Sequence, residues 1–203
     1  MSCAHAAGIH PTTYGALRLP RNIVVGAQQR FAIADIAAGM GSNILVCTDP
    51  RLAASEELQA LVRSLESRSL TVRVFGGTEA ELPTPGIVAC VEELKGHDID
   101  VILGFGGGSC MDMAKVVSVL LTYGGEPSDY YGEFAVPGPV KPVIALPTTA
   151  GTGSEATAIA VVSDPGLGMK MGISSPHIIP FASVCDPELT YSCPPPLTAA
   201  TGA

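Results

Sequence analysis

GGGSCMDMAK, Gly106–Lys115, is the stretch on which the fold of this 203-residue chain turns. The apolar run VILGF (Val101–Phe105) leads into it and VVSVLL (Val116–Leu121) leads out, which predicts strand, glycine turn and helix. Glycines at such a turn let backbone approach a ligand with no Cβ in the way. The helix behind them aims free N–H groups and the positive end of its dipole at the same point, a ready site for a phosphate or pyrophosphate. Ser109 reads as the helix N-cap or as a phosphate donor. Asp112, three residues on, gives the spacing of a capping box with Asp in the place of Glu. Lys115 reads as a solvated helix lysine or as a phosphate contact. The run matches neither GxGxxG nor GxxxxGK[ST], so a turn that binds nothing stays open on these residues alone.

Working outward, strands and helices alternate. Asn22–Gly26, Asn43–Thr48 and Leu70–Phe75 read as strands, and Ala27–Met40, Ala53–Arg68 and Gly86–Lys95 as helices. The helix after the glycine motif is predicted over Met111–Leu121. This alternation predicts an α/β fold, a Rossmann-like parallel sheet with helices on both faces, and ligands in such sheets sit at the carboxyl ends of the strands. Asp49, closing the second strand, falls on that edge. It reads as an acceptor for ribose hydroxyls that repels a 2′-phosphate, or as an Asp-Pro turn starter. Downstream, Gly124–Pro139 reads as loop and Val143–Leu146 as a strand. PTTAGTGSEAT (Pro147–Thr157) carries five hydroxyl residues, which suits either a polar ligand or an ordinary surface loop. A β-hairpin is predicted from Ile159–Val162, a turn over Asp164–Gly168 and Met169–Ile173, followed by a last strand at Val184–Asp186.

Composition narrows the function classes. Hydrophobic residues make up 47% of the chain but aromatic ones only 5%, so the core is built from Ala, Val, Ile and Leu, the content of buried parallel strands. The net charge of −8 with no basic run argues against nucleic acid and anionic membrane as partners. The sequence has no apolar stretch of membrane-spanning length, and its first residues lack the pattern of a secretory signal. The six cysteines form no CxxC pair, which fits a reduced, cytoplasmic protein. Cys110, at a helix N-terminus, reads as a thiol of lowered pKa with modest oxidant sensitivity or, the favoured reading, as an inert turn residue. His5, His10, His97 and His177 show no metal-binding spacing, and neither paired carboxylates nor a Ser/His/Asp grouping stands out.

GGGSCMDMAK and PTTAGTGSEAT together resemble the cofactor-domain signatures of the iron-containing (group III) alcohol dehydrogenases. LPRNIVVG (Leu19–Gly26) is similar to the family's first strand and DPELTYSCPPPLTAATGA (Asp186–Ala203) to its domain junction. Ser109 with Asp112 favours this branch over the glycerol dehydrogenases, maleylacetate reductases and dehydroquinate synthases on the same fold. The resemblance implies an NAD-binding domain of dehydroquinate synthase-like type and a hydride transfer between a nicotinamide cofactor and a small alcohol or aldehyde. It assigns Asp49 to the adenosine ribose, Gly106, Gly107, Gly108 and Ser109 to the pyrophosphate, and Asp112 to ordering that loop. Thr148 and Thr149 fall near the phosphates and ribose, Thr152 and Thr157 are weaker contacts, and Lys170 lies near the nicotinamide ribose. Fe²⁺ or Zn²⁺ is implied for the full enzyme, with ligands on helices beyond Ala203. The expected organisation is an arm over residues 1–18, a dinucleotide-binding domain over 19–190 and the start of a junction over 191–203. A fragment of a longer, homo-oligomeric enzyme, inactive by itself, is the favoured expectation. A stand-alone nucleotide-binding module and a dehydroquinate synthase-type lyase are the alternatives.

Overall fold

A computed structural model of the chain describes residues 17–202. Most of the arm expected over residues 1–18, with Cys3, His5 and His10, lies outside the described residues. Six strands form one all-parallel sheet: β1 (Asn22–Val25), β2 (Asn43–Cys47), β3 (Thr71–Phe75), β4 (Val101–Gly106), β6 (Val143–Pro147) and β9 (Ala182–Cys185), in the order β1-β9-β6-β4-β2-β3. The predicted parallel sheet is therefore present. The central strands β4 and β6 are buried along their whole length, as their unbroken apolar sequences require of strands covered on both faces.

Side chains alternate between two cores. Ile44 and Val46 of β2 face α1 (Ile33–Ala38) and α3 (Glu56–Glu66), whereas Leu45 and Cys47 face α4 (Thr84–Glu93) and α5 (Gly108–Tyr123). A second, three-stranded sheet packs over α5: β7 (Ile159–Asp164) and β8 (Met169–Ser174) form the predicted hairpin, and β5 (Gly132–Glu133) joins β8 in parallel. Helix α5 is thus enclosed between two sheets, and every residue from Cys110 to Leu120 is buried.

Several predicted boundaries shift for local reasons. The single helix expected over Ala27–Met40 is a 3₁₀ turn (Gln29–Ala32) followed by the short α1, because Gln28 enters with a left-handed φ of 61°. The helix expected over Ala53–Arg68 is α3, starting three residues later at Glu56, and a short extra helix, α2 (Pro50–Ala53), stands at the predicted Asp-Pro turn. Asp49 caps α2, its carboxylate accepting from Leu52 N at 2.8 Å, and Ser55 caps α3, its hydroxyl accepting from Leu58 N at 3.2 Å. Helix α5 begins three residues before its predicted start. The loop expected over Gly124–Pro139 contains a 3₁₀ turn (Pro127–Tyr130) and β5. The last helix, α6, covers Pro195–Thr201.

Candidate functional site

The chain leaves β2 outward to β3 but leaves β4 in the opposite direction to β6. That reversal opens a crevice at the carboxyl ends of β2 and β4, where α/β sheets take their ligands. Thr48 and Asp49 stand on one side of it, Gly106–Gly108 in the middle, and Thr148 and Thr149 after β6 on the other.

The glycine turn is shaped by close approach. A Cβ at Gly104 would lie 2.7 Å from Met111 Cα, so helix α5 can seat directly on β4. Gly106 has a φ of 148°, and a Cβ there would lie 2.5 Å from Cys110 Sγ. Thr148 N donates to Gly106 O at 2.9 Å and ties the turn to the segment after β6. The N-cap of α5 is Gly107, with no side chain capping the helix. The Ser109 cap and the Ser109–Asp112 capping box are therefore corrected: Ser109 is the second residue of the helix, and it lines a cleft. The helix N-terminus keeps its free N–H groups, the arrangement that receives an anion.

Asp112 points away from the helix start instead of capping it. Its carboxylate accepts from Ser154 Oγ and, at 2.9 Å, from Val161 N. Lys115 is neither solvated nor free to meet a phosphate, which corrects both sequence readings. Its side chain is 0% exposed, because the β7–β8 hairpin covers that face of α5. Nζ donates to Ile159 O at 2.7 Å, Ser154 Oγ at 3.1 Å and Thr157 Oγ1 at 3.3 Å, and lies 3.5 Å from Asp112 Oδ1. Burial lowers its pKa, and the neighbouring carboxylate opposes that. The pair staples the hydroxyl-rich segment after β6 to the helix after β4.

Ser109, Asp112, Thr152, Thr157 and Lys170 line one cleft of about 260 Å³ beside the glycine turn, so five of the proposed contacts converge. A Cβ at Gly108 would come within 3.1 Å of the Thr152 methyl, so a larger residue there would crowd the cleft from the helix side. Asp49 is not in this cleft. It sits farther along the crevice, its carboxylate close enough to act on the Cys110 thiol. Burial first, and that carboxylate second, push the thiol up to about 12, which overturns the lowered pKa expected at a helix start. The turn-starter reading of Asp49 is present in the structure, since its carboxylate caps α2.

Three residues here gave no signal as site residues in the sequence. Ser154 is the hub between Asp112 and Lys115, and Glu81 faces Lys170 across the cleft. Thr78, after β3, joins the edge through its N–H to Thr48 O at 3.1 Å. Among the described residues, four buried side-chain polar atoms have no partner, and three of them are the hydroxyls of Thr48, Thr78 and Thr149 on this one edge of the sheet. Among the described residues no three His, Cys, Asp or Glu side chains stand together as a metal site.

Comparison with known proteins agrees with this geometry. A family model described as iron-containing alcohol dehydrogenase matches residues 20–187. The sulfoacetaldehyde reductase of Bilophila wadsworthia is 39% identical over 162 residues, which are 80% of this chain and 42% of that protein. Alcohol dehydrogenase 4 of Schizosaccharomyces pombe is 38% identical over 163 residues, 79% of this chain and 38% of that protein. Among solved structures, a 1,3-propanediol oxidoreductase superposes with a TM-score of 0.88 at 27% identity, over 93% of this chain and 50% of its own. The sulfoacetaldehyde reductase of Bifidobacterium kashiwanohense, solved in complex with NAD⁺, superposes with a TM-score of 0.78 at 34% identity, over 92% of this chain and 50% of its own. The chain thus spans about two fifths of the length of these curated relatives and half that of these solved chains.

Proposed function

The chain belongs to the iron-containing alcohol dehydrogenase family, and from that premise we propose that it is the NAD-binding part of a metal-dependent alcohol dehydrogenase. The dinucleotide-binding domain would cover residues 19–190, with 191–203 beginning the junction to a helical metal-binding domain. The observation that carries the reading is the uncapped glycine turn of α5, set beside the unpartnered Thr149 hydroxyl.

A dinucleotide fits these residues. Gly106, Gly107, Gly108 and Ser109 would receive the pyrophosphate on free N–H groups, with Thr148 and Thr149 beside it. Asp49 would accept from the adenosine ribose and repel a 2′-phosphate. Thr152, Thr157 and Lys170 would line the nicotinamide side, while Asp112, buried against Ser154, holds that wall in place. The bound nicotinamide ring supplies a hydride acceptor or donor for a small alcohol or aldehyde. The described residues do not fit the iron or zinc that the family resemblance implies, because no ligand set is present among them; the ligands would come from the metal-binding domain. The proposal includes a homo-oligomeric, cytoplasmic enzyme. No helix among the described residues is long and apolar enough to cross a membrane.

Calorimetric titration with NAD⁺ and NADP⁺ tests the reading. NAD⁺ should bind at least tenfold more tightly, about 1.4 kcal/mol. Asp49→Asn should close most of that gap while keeping the cap on α2, because Asn caps as well as Asp. Absence of NAD⁺ binding to the 203-residue chain and to one extended past Ala203 sinks it.

A further inference from the structure

Glu81 is absent from the cofactor contacts assigned above, yet the loop around it is built to present it. Glu81 and Leu82 are consecutive non-glycine residues in the left-handed region, at φ 66° and 49°. Such backbone is strained and persists only where surrounding contacts over-determine it. Here they do. Ser163 Oγ donates to Glu81 O at 2.7 Å, Ser163 N donates to Leu82 O at 2.9 Å, and Pro83 bridges Ser163 in parallel. The Leu82 side chain is sealed in the core, which leaves Glu81 facing the cleft.

The register of the hairpin decides what Glu81 meets. Ser163 of β7 pairs with Lys170 of β8, so the residue that pins the Glu81 backbone stands directly across from the lysine. The Glu81 carboxylate and the Lys170 ammonium form an ion pair at the cleft mouth. Among the described residues the other charged one lining the cleft is Asp112, whose oxygens are spent on Ser154 and Val161 N. Lys170 is a flexible side chain, more than half exposed. Without a partner it samples many rotamers, and ordering it on binding costs entropy.

We propose that Glu81 is a positioning residue of the dinucleotide site: its carboxylate holds the Lys170 ammonium over the cleft, so that the lysine is already oriented toward the ribose on the nicotinamide side. This role rests on the NAD-binding reading above. The strained turn, the Ser163 pins and the ion pair form one device, with the strain held by β7 and the benefit delivered at β8. A carboxylate alone at this place repels the doubly charged pyrophosphate, so Glu81 helps binding only through Lys170.

A double-mutant cycle on NAD⁺ affinity tests it, with Glu81→Ala, Glu81→Gln, Lys170→Ala and the Glu81→Ala/Lys170→Ala pair. Because an exposed ion pair is worth up to about 1 kcal/mol, Glu81→Ala should weaken NAD⁺ by about three- to fivefold. Glu81→Gln should restore most of the loss, since the amide oxygen still accepts from the ammonium, and in the Lys170→Ala background Glu81→Ala should no longer weaken NAD⁺, leaving its affinity equal or slightly higher. Equal loss in both backgrounds, or tighter binding in Glu81→Ala, overturns the role. Acetylation of Lys170, followed on its peptide without ligand, should run severalfold faster in Glu81→Ala; an unchanged rate also overturns it. Failure of both the wild-type chain and one extended past Ala203 to bind NAD⁺ removes the parent reading and the role with it, while the acetylation rates still report separately on the pair.

Discussion

Cys110 carries opposite consequences at two levels of description. A thiol in the first turn of a helix is activated by the dipole. This one lies beneath the glycine turn, in contact distance of a position where even a methyl would collide, and beside the Asp49 carboxylate. Burial wins because the dipole end is open to solvent and ligand while the sulfur is not. With its pKa pushed to about 12, the thiolate is about one part in ten thousand at pH 8. Alkylation of Cys110 at that pH should therefore run on the order of a thousandfold slower than that of an exposed thiol, measured by mass spectrometry of its peptide. A rate equal to that of a free thiol would mean the turn opens readily. Ser109 and Asp112 teach a related lesson about single residues. Their spacing satisfies a capping box, but a cap needs the first residue outside the helix, and Gly107 already occupies that place. The chemistry of both residue types was legible; which partner each would take was not.

Elements were legible where the apolar pattern was long. β2, β4, β6 and the hairpin stand close to where their sequences place them, since an unbroken Val/Ile/Leu run between turn residues has few other uses. Helix boundaries were not, because they are set by individual caps: Ser55 starts α3 three residues into the amphipathic stretch, and Asp49 starts the short α2 where the sequence reads as a turn. Lys115 shows the deeper limit. A lysine in a helix reads as its solvated face, and only the hairpin some forty residues downstream reveals that α5 has no solvated face over Cys110–Leu120. Lys115→Met should leave Asp112 buried beside a lost cation and cost about 3–5 kcal/mol in denaturant unfolding. Hydrogen exchange should rise first at Ser154–Val161, the segment the ammonium holds, before it rises in α4. If exchange rises equally throughout, the network is a general contributor to the core and no local staple.

At the scale of the whole molecule, the two edges of the parallel sheet do different work. The carboxyl edge holds the unpartnered hydroxyls and the glycine turn. The amino edge is closed by its own bonds: Asp100, ahead of β4, accepts from Ser42 N at 2.8 Å, Asn43 N at 2.9 Å and Asn43 Nδ2 at 3.1 Å, joining the start of β2 to the start of β4. Those bonds hold the Asp100 carboxyl below its ordinary value of 3.8. A carboxylate more acidic folded than unfolded adds stability above the unfolded value, and that stability disappears as the pH falls through the folded value. The urea midpoint of the wild type should therefore exceed that of Asp100→Ala at about pH 6, with the gap narrowing as pH drops below 3.8. A gap independent of pH would assign the contribution to packing.

The sheet order has a further consequence in time. Among the described residues β1 pairs only with β9, Asn22 opposite Ala182, across about 160 residues of chain. During synthesis at about 5–20 residues per second, β1 waits roughly 8–30 s after leaving the ribosome before its partner exists. Through that interval Ile23, Val24 and Val25 travel as an unpaired apolar strand, so of the six strands of this sheet the one made earliest is paired last, and it stays an aggregation-prone segment of the nascent chain until β9 emerges.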